Sequence, residues 1–295
     1  MGQLHEVARL AASCTLAATR GCLTPNGSLM QTLTAWARRR PLAAALVPVL
    51  AALYLTVGAA RLLGHSIPKP AVRPVLAVLA FVLLFGTAVA VTRLVDGAVG
   101  VRRLLSRVFA WRIGLPWALV VFVALPVVSV LVAGASGTLR NPSGGWLWEV
   151  LSYLIGGVAL SAVTTNLWEE TLWSGFVQTR LMERHGLWRA ALLTSVPFVL
   201  VHVPGAFQNV AASEGLAQII ALVILAPMLR YLAGVLLLET GGSILAVGLL
   251  HASFNASGQL SSTRGDWQFI PALVLLTAAV AVTRKVRTRV DAPVG

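Results

Sequence analysis

The chain has 295 residues, 57% of them hydrophobic and only 11% charged, with a mean hydropathy of +0.83. That composition excludes an ordinary soluble domain. With aromatic residues at 7% and no period-2 alternation, it points to an all-α, polytopic transmembrane helix bundle rather than a β-barrel. The formal net charge of +13 has no basic folded domain to carry it toward nucleic acid, so it reads as positive-inside bias and attraction to the headgroups of a lipid bilayer.

Residues 1–41 form an N-terminal segment with polar breaks, expected on the cytoplasmic side. Within it, Leu4–Leu16 is expected as an interfacial helix; without a clean apolar core and a cleavage site it does not read as a signal peptide. Cys14 and Cys22 lie on the expected reducing side, which argues against a disulfide, and no further ligands accompany them for a metal.

About eight apolar runs of spanning character follow. They are placed near Leu42–Leu63, Pro74–Val95, Gly114–Gly134, Ser152–Gln178, Leu187–Val203, Leu216–Leu238, Ser243–Ser257 and Trp267–Thr283. The resulting organisation is three accessory helices over 42–134, a helical core over 152–257, a final span over 267–283 and a basic tail over 284–295. Pro197 and Pro227 interrupt the core runs, and Gly241–Gly242 reads as a turn.

Lys and Arg orient the bundle. Arg9, Arg20 and Arg38–Arg40 precede the first run; Arg102, Arg103, Arg107 and Arg112 lie between the second and third; Arg180, Arg184 and Arg189 lie around the turn after the fourth. Arg284, Lys285, Arg287 and Arg289 fill the tail, whereas the alternate connections hold only Lys69 and Arg73, Arg140, and Arg264. Both termini are therefore expected in the cytoplasm. Trp111, Trp117, Trp146, Trp148, Trp188 and Trp267 sit at run ends and read as interfacial anchors.

Ionisable and amide groups inside the core runs are few: Glu169, Glu170, His202, Arg230, His251 and Asn255. A charged residue at the bilayer centre costs about 2.5–3.5 kcal/mol on insertion scales, so a pair of adjacent glutamates needs a partner or a cavity. Glu169 stands 16 residues before His185 and His202 stands 17 after it, which places both about 25 Å from that turn. Counted from Gly241–Gly242, Arg230 and His251 stand at about 15–17 Å. Four ionisable side chains from four runs thus converge on one layer. Each alone has a bland account, the histidines and Asn255 as interhelical hydrogen bonds and Arg230 as a snorkelling cation. Their coincidence in type and depth favours chemistry.

The run Glu169-Glu170-Thr171-Leu172-Trp173-Ser174-Gly175-Phe176, the spacing Phe198-x-x-x-His202 and the spacing His251-x-x-x-Asn255 resemble the three motifs of the CAAX prenyl-protease and bacteriocin-processing (CPBP or Abi) family. The resemblance covers about Ser152 to Ser257. It implies an intramembrane endopeptidase in which Glu169, Glu170, His202, His251 and Asn255 are the catalytic set. In that assignment Glu169 activates the attacking water, His202 positions it, and His251 with Asn255 stabilises the oxyanion. Glu169, His202 and His251 are also the set that would hold zinc as a three-ligand site with an open position; zinc-dependent and metal-free chemistry both remain open.

One departure bears on the mechanism. The family's first motif usually has Arg four residues after the second glutamate, where it would lie over that carboxylate; here the position is Ser174. Arg230, at similar depth, is expected to supply the missing charge. The expected substrate is a membrane-associated protein or hydrophobic peptide, in a bacterial plasma membrane. A non-catalytic immunity or scaffold protein, and an ion-coupled transporter using the same groups as a relay, are the alternatives; no inverted repeat accompanies the latter. The oligomeric state is not encoded in any recognisable pattern.

Overall fold

The structure is a computed structural model that describes residues 25–62, 69–208, 210–263 and 267–290. The expected interfacial helix Leu4–Leu16, Cys14, Cys22 and Arg264 lie outside the described residues. Every regular element among the described residues is helical. In chain order they are α1 (Pro25–Arg39), α2 (Pro41–Leu62), α3 (Lys69–Leu79) running through a π-helical segment (Ala80–Phe85) into α4 (Gly86–Val108), and α5 (Leu115–Leu119) running through Val120–Ala124 into α6 (Leu125–Ala135). Next come α7 (Trp146–Leu151), the π-helical segments Ser152–Leu160 and Ala162–Asn166, α8 (Leu167–Leu172), the π-helical segment Trp173–Gln178 and α9 (Thr179–Ala206). The chain closes with α10 (Ala212–Glu239), α11 (Ile244–Ser257) and α12 (Phe269–Val290).

Among the described residues, six helical stretches, one broken at Gly97 and one at Gly186, are long and apolar enough to cross a membrane: Pro41–Ala59, Ala77–Val108, Leu115–Ala135, Trp146–Ala206, Ala212–Glu239 and Phe269–Val286. The protein is an integral membrane protein. The 61-residue stretch is two limbs, because Gly186 has φ 72° and ψ 176°, a left-handed conformation that releases the chain from the helix and suits glycine. Trp173, thirteen residues before Gly186, touches Phe198, twelve after it, edge to face with ring centroids 5.6 Å apart. The limbs therefore form an antiparallel hairpin, as the placing of a turn at His185–Gly186 requires.

Among the described residues the expected apolar runs fall mainly on helical chain, with Gly114, Ser243 and Trp267 just ahead of their helices, and two helices outrun their runs. The run beginning at Ser152 is helical from Trp146, and that ending at Leu238 is helical from Ala212 to Glu239. Apolar composition marks the part the hydrocarbon covers, whereas helical hydrogen bonding continues into the headgroup layer. Trp111, Trp146, Trp148, Trp188 and Trp267 are exposed as anchors would be; Trp117 packs instead against the core.

The exception in length is α11, whose 14 residues extend only about 21 Å. It falls short of a hydrocarbon core about 30 Å thick. Its position explains this: Ile244, Ala246, Val247, Gly248, Leu250, His251 and most residues beyond are buried, so protein rather than lipid surrounds it. Ser243 caps its start, accepting from the Ala246 amide at 3.1 Å. Arg107 on α4 holds the same end, donating from Nε to the Gly242 carbonyl at 2.8 Å and from Nη2 to the Thr179 hydroxyl at 3.3 Å. At the opposite end the Glu149 carboxylate accepts from the Ser261 hydroxyl and from the amide and hydroxyl of Ser262. These clasps fix α11 against the hairpin that carries the glutamates.

Candidate active site

Three residues of one helix face define the floor of the site. Glu170, Ser174 and Gln178 follow one another at four-residue intervals, and all three are buried without exposure. Burying three polar side chains in the lipid-spanning part of a helix is costly unless each finds a partner. Arg230, brought opposite by α10 and equally buried, provides it. Its guanidinium grips Glu170 in a bidentate pair, Nη1 donating to Oε2 at 2.9 Å and Nη2 to Oε1 at 2.6 Å. Gln178 donates to the Arg230 backbone carbonyl at 2.6 Å, so the same residue is held at both ends.

Two further donors complete Glu170. The Ser174 hydroxyl donates to Oε2 at 2.5 Å, and His251 Nδ1 donates to Oε1 at 2.8 Å. Each carboxylate oxygen thus accepts two hydrogen bonds, which fills the four acceptor sites a carboxylate has. The place where the family pattern carries Arg holds a serine that donates one of those bonds, and the cation comes from another helix.

Glu169 has a different environment although it is the next residue. Adjacent helical positions point about 100° apart, and the Glu169 side chain keeps 17% of its surface exposed while Glu170 keeps none. Its Oε2 lies 3.8 Å from His251 Nδ1, too far for a hydrogen bond. The structure therefore separates the two acids into one saturated and one open.

Phe198 is the shelf between the histidines. Its ring is buried, with the Arg230 guanidinium 4.5 Å above its centroid, the His202 ring at 4.6 Å and the His251 ring at 5.7 Å. His202 Nδ1 lies 2.6 Å from the Phe198 carbonyl oxygen. A carbonyl only accepts, so Nδ1 carries the proton and Nε2 presents its lone pair. For His251, the carboxylate on Nδ1 likewise turns Nε2 outward. Asn255 is half-buried one turn beyond His251 on α11.

The close approach of α11 to α8 is made possible by Gly248. A Cβ there would stand 3.1 Å from the Leu167 Cα and 3.3 Å from its amide nitrogen. Three residues further along each helix are His251 and Glu170, so this contact sets their separation. Gly248 and Gln178 were not marked by the sequence reading. Gln178 had a signal, the four-residue polar ladder Glu170, Ser174, Gln178; Gly248 in an apolar helix had none.

Glu169, His202 and His251 are not gathered as a ligand set. Among the described residues no group of three or more His, Cys, Asp or Glu side chains is arranged to hold a metal ion. The Nδ1 atoms of both histidines are held by the Phe198 carbonyl and the Glu170 carboxylate, as in the outer shell of metal-binding histidines, which leaves Glu169 and the two Nε2 atoms as the donors zinc would use.

Residues 151–257 match the family described as Rce1-like, the type II CAAX prenyl endopeptidase Rce1-like proteins. The similarity covers about a third of the chain. No match was found among curated proteins. The matched segment runs from the end of α7 to the end of α11 and contains all of Glu169, Glu170, Ser174, Phe198, His202, Arg230, His251 and Asn255. The family it resembles is one of endopeptidases, and α2, α4 and α12 brace the segment from outside.

Proposed function

We propose that this protein is an intramembrane endopeptidase that cleaves a membrane-associated protein or hydrophobic peptide with a water activated by Glu169. The observation that carries the reading is the division between the neighbouring acids. Glu170, with four donors on its two oxygens, has no acceptor capacity left for a water proton, whereas Glu169 is open and one helical step away.

In this mechanism the Glu169 carboxylate takes a proton from water as the water oxygen attacks the scissile carbonyl carbon. His202 Nε2, fixed by the bond from Nδ1 to Phe198, orients that water. The carbonyl oxygen gains negative charge, and His251 in its imidazolium form, donating from Nε2 while Nδ1–H stays on Glu170, meets it with the Asn255 amide. Glu169 then passes its proton to the departing amine nitrogen as the C–N bond breaks, which returns the carboxylate to its starting form. Glu170 orients His251 and balances its charge, in the way a buried acid orients the histidine of a hydrolytic triad. Arg230 fixes Glu170.

The test compares protein termini in membranes of cells making the wild type or Glu169→Gln at matched abundance, by N- and C-terminal proteomics. New termini confined to the wild type support proteolysis and name the substrate. Identical termini from two folded, abundant proteins would sink the reading and leave a scaffold.

A further inference from the structure

The limb that carries His202 contains a backbone defect, and the repair comes from outside the matched segment. In an α-helix the amide of residue 204 would donate to the carbonyl of residue 200. Residue 204 is proline, which has no N–H, so the Leu200 carbonyl loses its regular donor while the helix continues to Ala206. A carbonyl without a donor is costly in a membrane, where water is not at hand to replace it. The Tyr54 hydroxyl on α2 donates to this oxygen at 2.9 Å.

The position of the bond matters as much as its presence. Leu200 precedes His202 by two residues and Pro204 follows it by two, so the repaired turn is the turn that holds the histidine. On its other side the Phe198 carbonyl also accepts a side-chain bond from His202 Nδ1. The backbone around His202 thus lacks one bond along its own axis and takes a lateral donor in its place.

We infer that Tyr54 is a positioning residue for His202: it supplies from α2 the hydrogen bond that Pro204 withholds, and so sets where the His202 imidazole stands relative to Phe198 and Glu169. The inference rests on the proposed role of His202 in proteolysis. It also gives α2, a helix outside the matched segment, a part in the site beyond anchoring.

The two residues are linked by one missing proton, which permits a double-mutant cycle. Tyr54→Phe removes only the hydroxyl, and Pro204→Ala restores the backbone N–H. Full-length wild type, both single variants and the double variant are reconstituted in nanodiscs of phosphatidylethanolamine and phosphatidylglycerol. Hydrogen–deuterium exchange is followed in peptides covering 198–206, and turnover on the substrate named by the terminus comparison is measured. Loss of one hydrogen bond should speed exchange in 198–206 about five-fold in Tyr54→Phe, and lower kcat several-fold with KM unchanged. In the Pro204→Ala background the same Tyr54→Phe change should alter neither. Equal effects of Tyr54→Phe in both backgrounds, or none in either, would overturn the inference.

Glu169→Gln keeps the two proposals apart. If it abolishes the new termini while the Tyr54–Pro204 coupling is missing, the protease reading stands and Tyr54 has no positioning role. If the coupling is present and the termini are indifferent to Glu169→Gln, the protease reading fails, and with it the claim that Tyr54 positions a catalytic group.

Discussion

Arg230 and Glu170 lie 60 residues apart in the chain and meet through two hydrogen bonds of 2.9 and 2.6 Å with neither side chain exposed. Removing one member of such a buried pair leaves the other charge uncompensated and typically costs about 3–5 kcal/mol. Arg230→Met should therefore lower the melting temperature in detergent sharply and abolish processing. Adding Ser174→Arg should recover part of both, because an arginine four residues after Glu170 reaches the same carboxylate and the space vacated at position 230 accepts it. A melting curve for Arg230→Met that overlays the wild type would show the pair to be dispensable.

The two glutamates should fail differently. Glu169→Gln keeps its shape and breaks no hydrogen bond of the floor, so the protein should melt as the wild type does while turnover falls by about 10²–10⁴, the usual contribution of a general base. Glu170→Gln weakens the acceptor for Arg230, Ser174 and His251 together, and should lose stability as well as turnover. Melting curves and processing rates on the same preparations separate these outcomes; equal stability loss in both variants would contradict the division of roles.

Gly248→Ala adds one methyl group against the Leu167 backbone, where its Cβ would stand 3.1 Å from the Cα. Backbone cannot rotate out of the way as a side chain can, so α11 must move, at a cost of about 1–3 kcal/mol. The movement carries His251 away from Glu170. Turnover should fall by more than ten-fold, out of proportion to a modest shift in melting temperature, and a helix surface glycine such as Gly156, which has open space around it, serves as the control that changes neither.

With Glu169, His202 and His251 not gathered into a metal-holding group among the described residues, the purified protein should hold well under one equivalent of zinc by elemental analysis. Turnover should survive dialysis against a chelator. Stoichiometric zinc whose removal shifts the melting temperature would overturn this expectation and show that Glu169 and the two Nε2 atoms come together around the metal.

The sequence showed the helices and the layer of the site, because apolar runs and charge scarcity are properties of composition and register. Equal counting from His185 placed Glu169 beside His202, and counting from Gly241–Gly242 placed Arg230 beside His251, with only the rise per residue assumed. The pairing of Arg230 with Glu170 could be expected because the cation of the usual motif was missing at Ser174. What stayed hidden was that His251 joins Arg230 and Ser174 on Glu170 and fills its acceptor sites, since helix rotation within the bundle decides it. Equally hidden were Gly248 against Leu167 and Tyr54 on Leu200, contacts between helices whose facing sides are not written in an evenly apolar pattern. The reach of helices past their runs escaped for a simpler reason: hydropathy ends where the lipid does.

Because the cation that answers Glu170 stands on α10, it does not exist when the acids are made. At about 5–20 residues per second, Arg230 is synthesised some 3–12 s after Glu170. During that interval the segment with two adjacent acids has no intramolecular counter-ion, and an arginine one turn away, as in the usual motif, would have spared it the wait. In the order of synthesis, the limb bearing the acids thus acquires the cation that answers Glu170 only when its partner helix emerges.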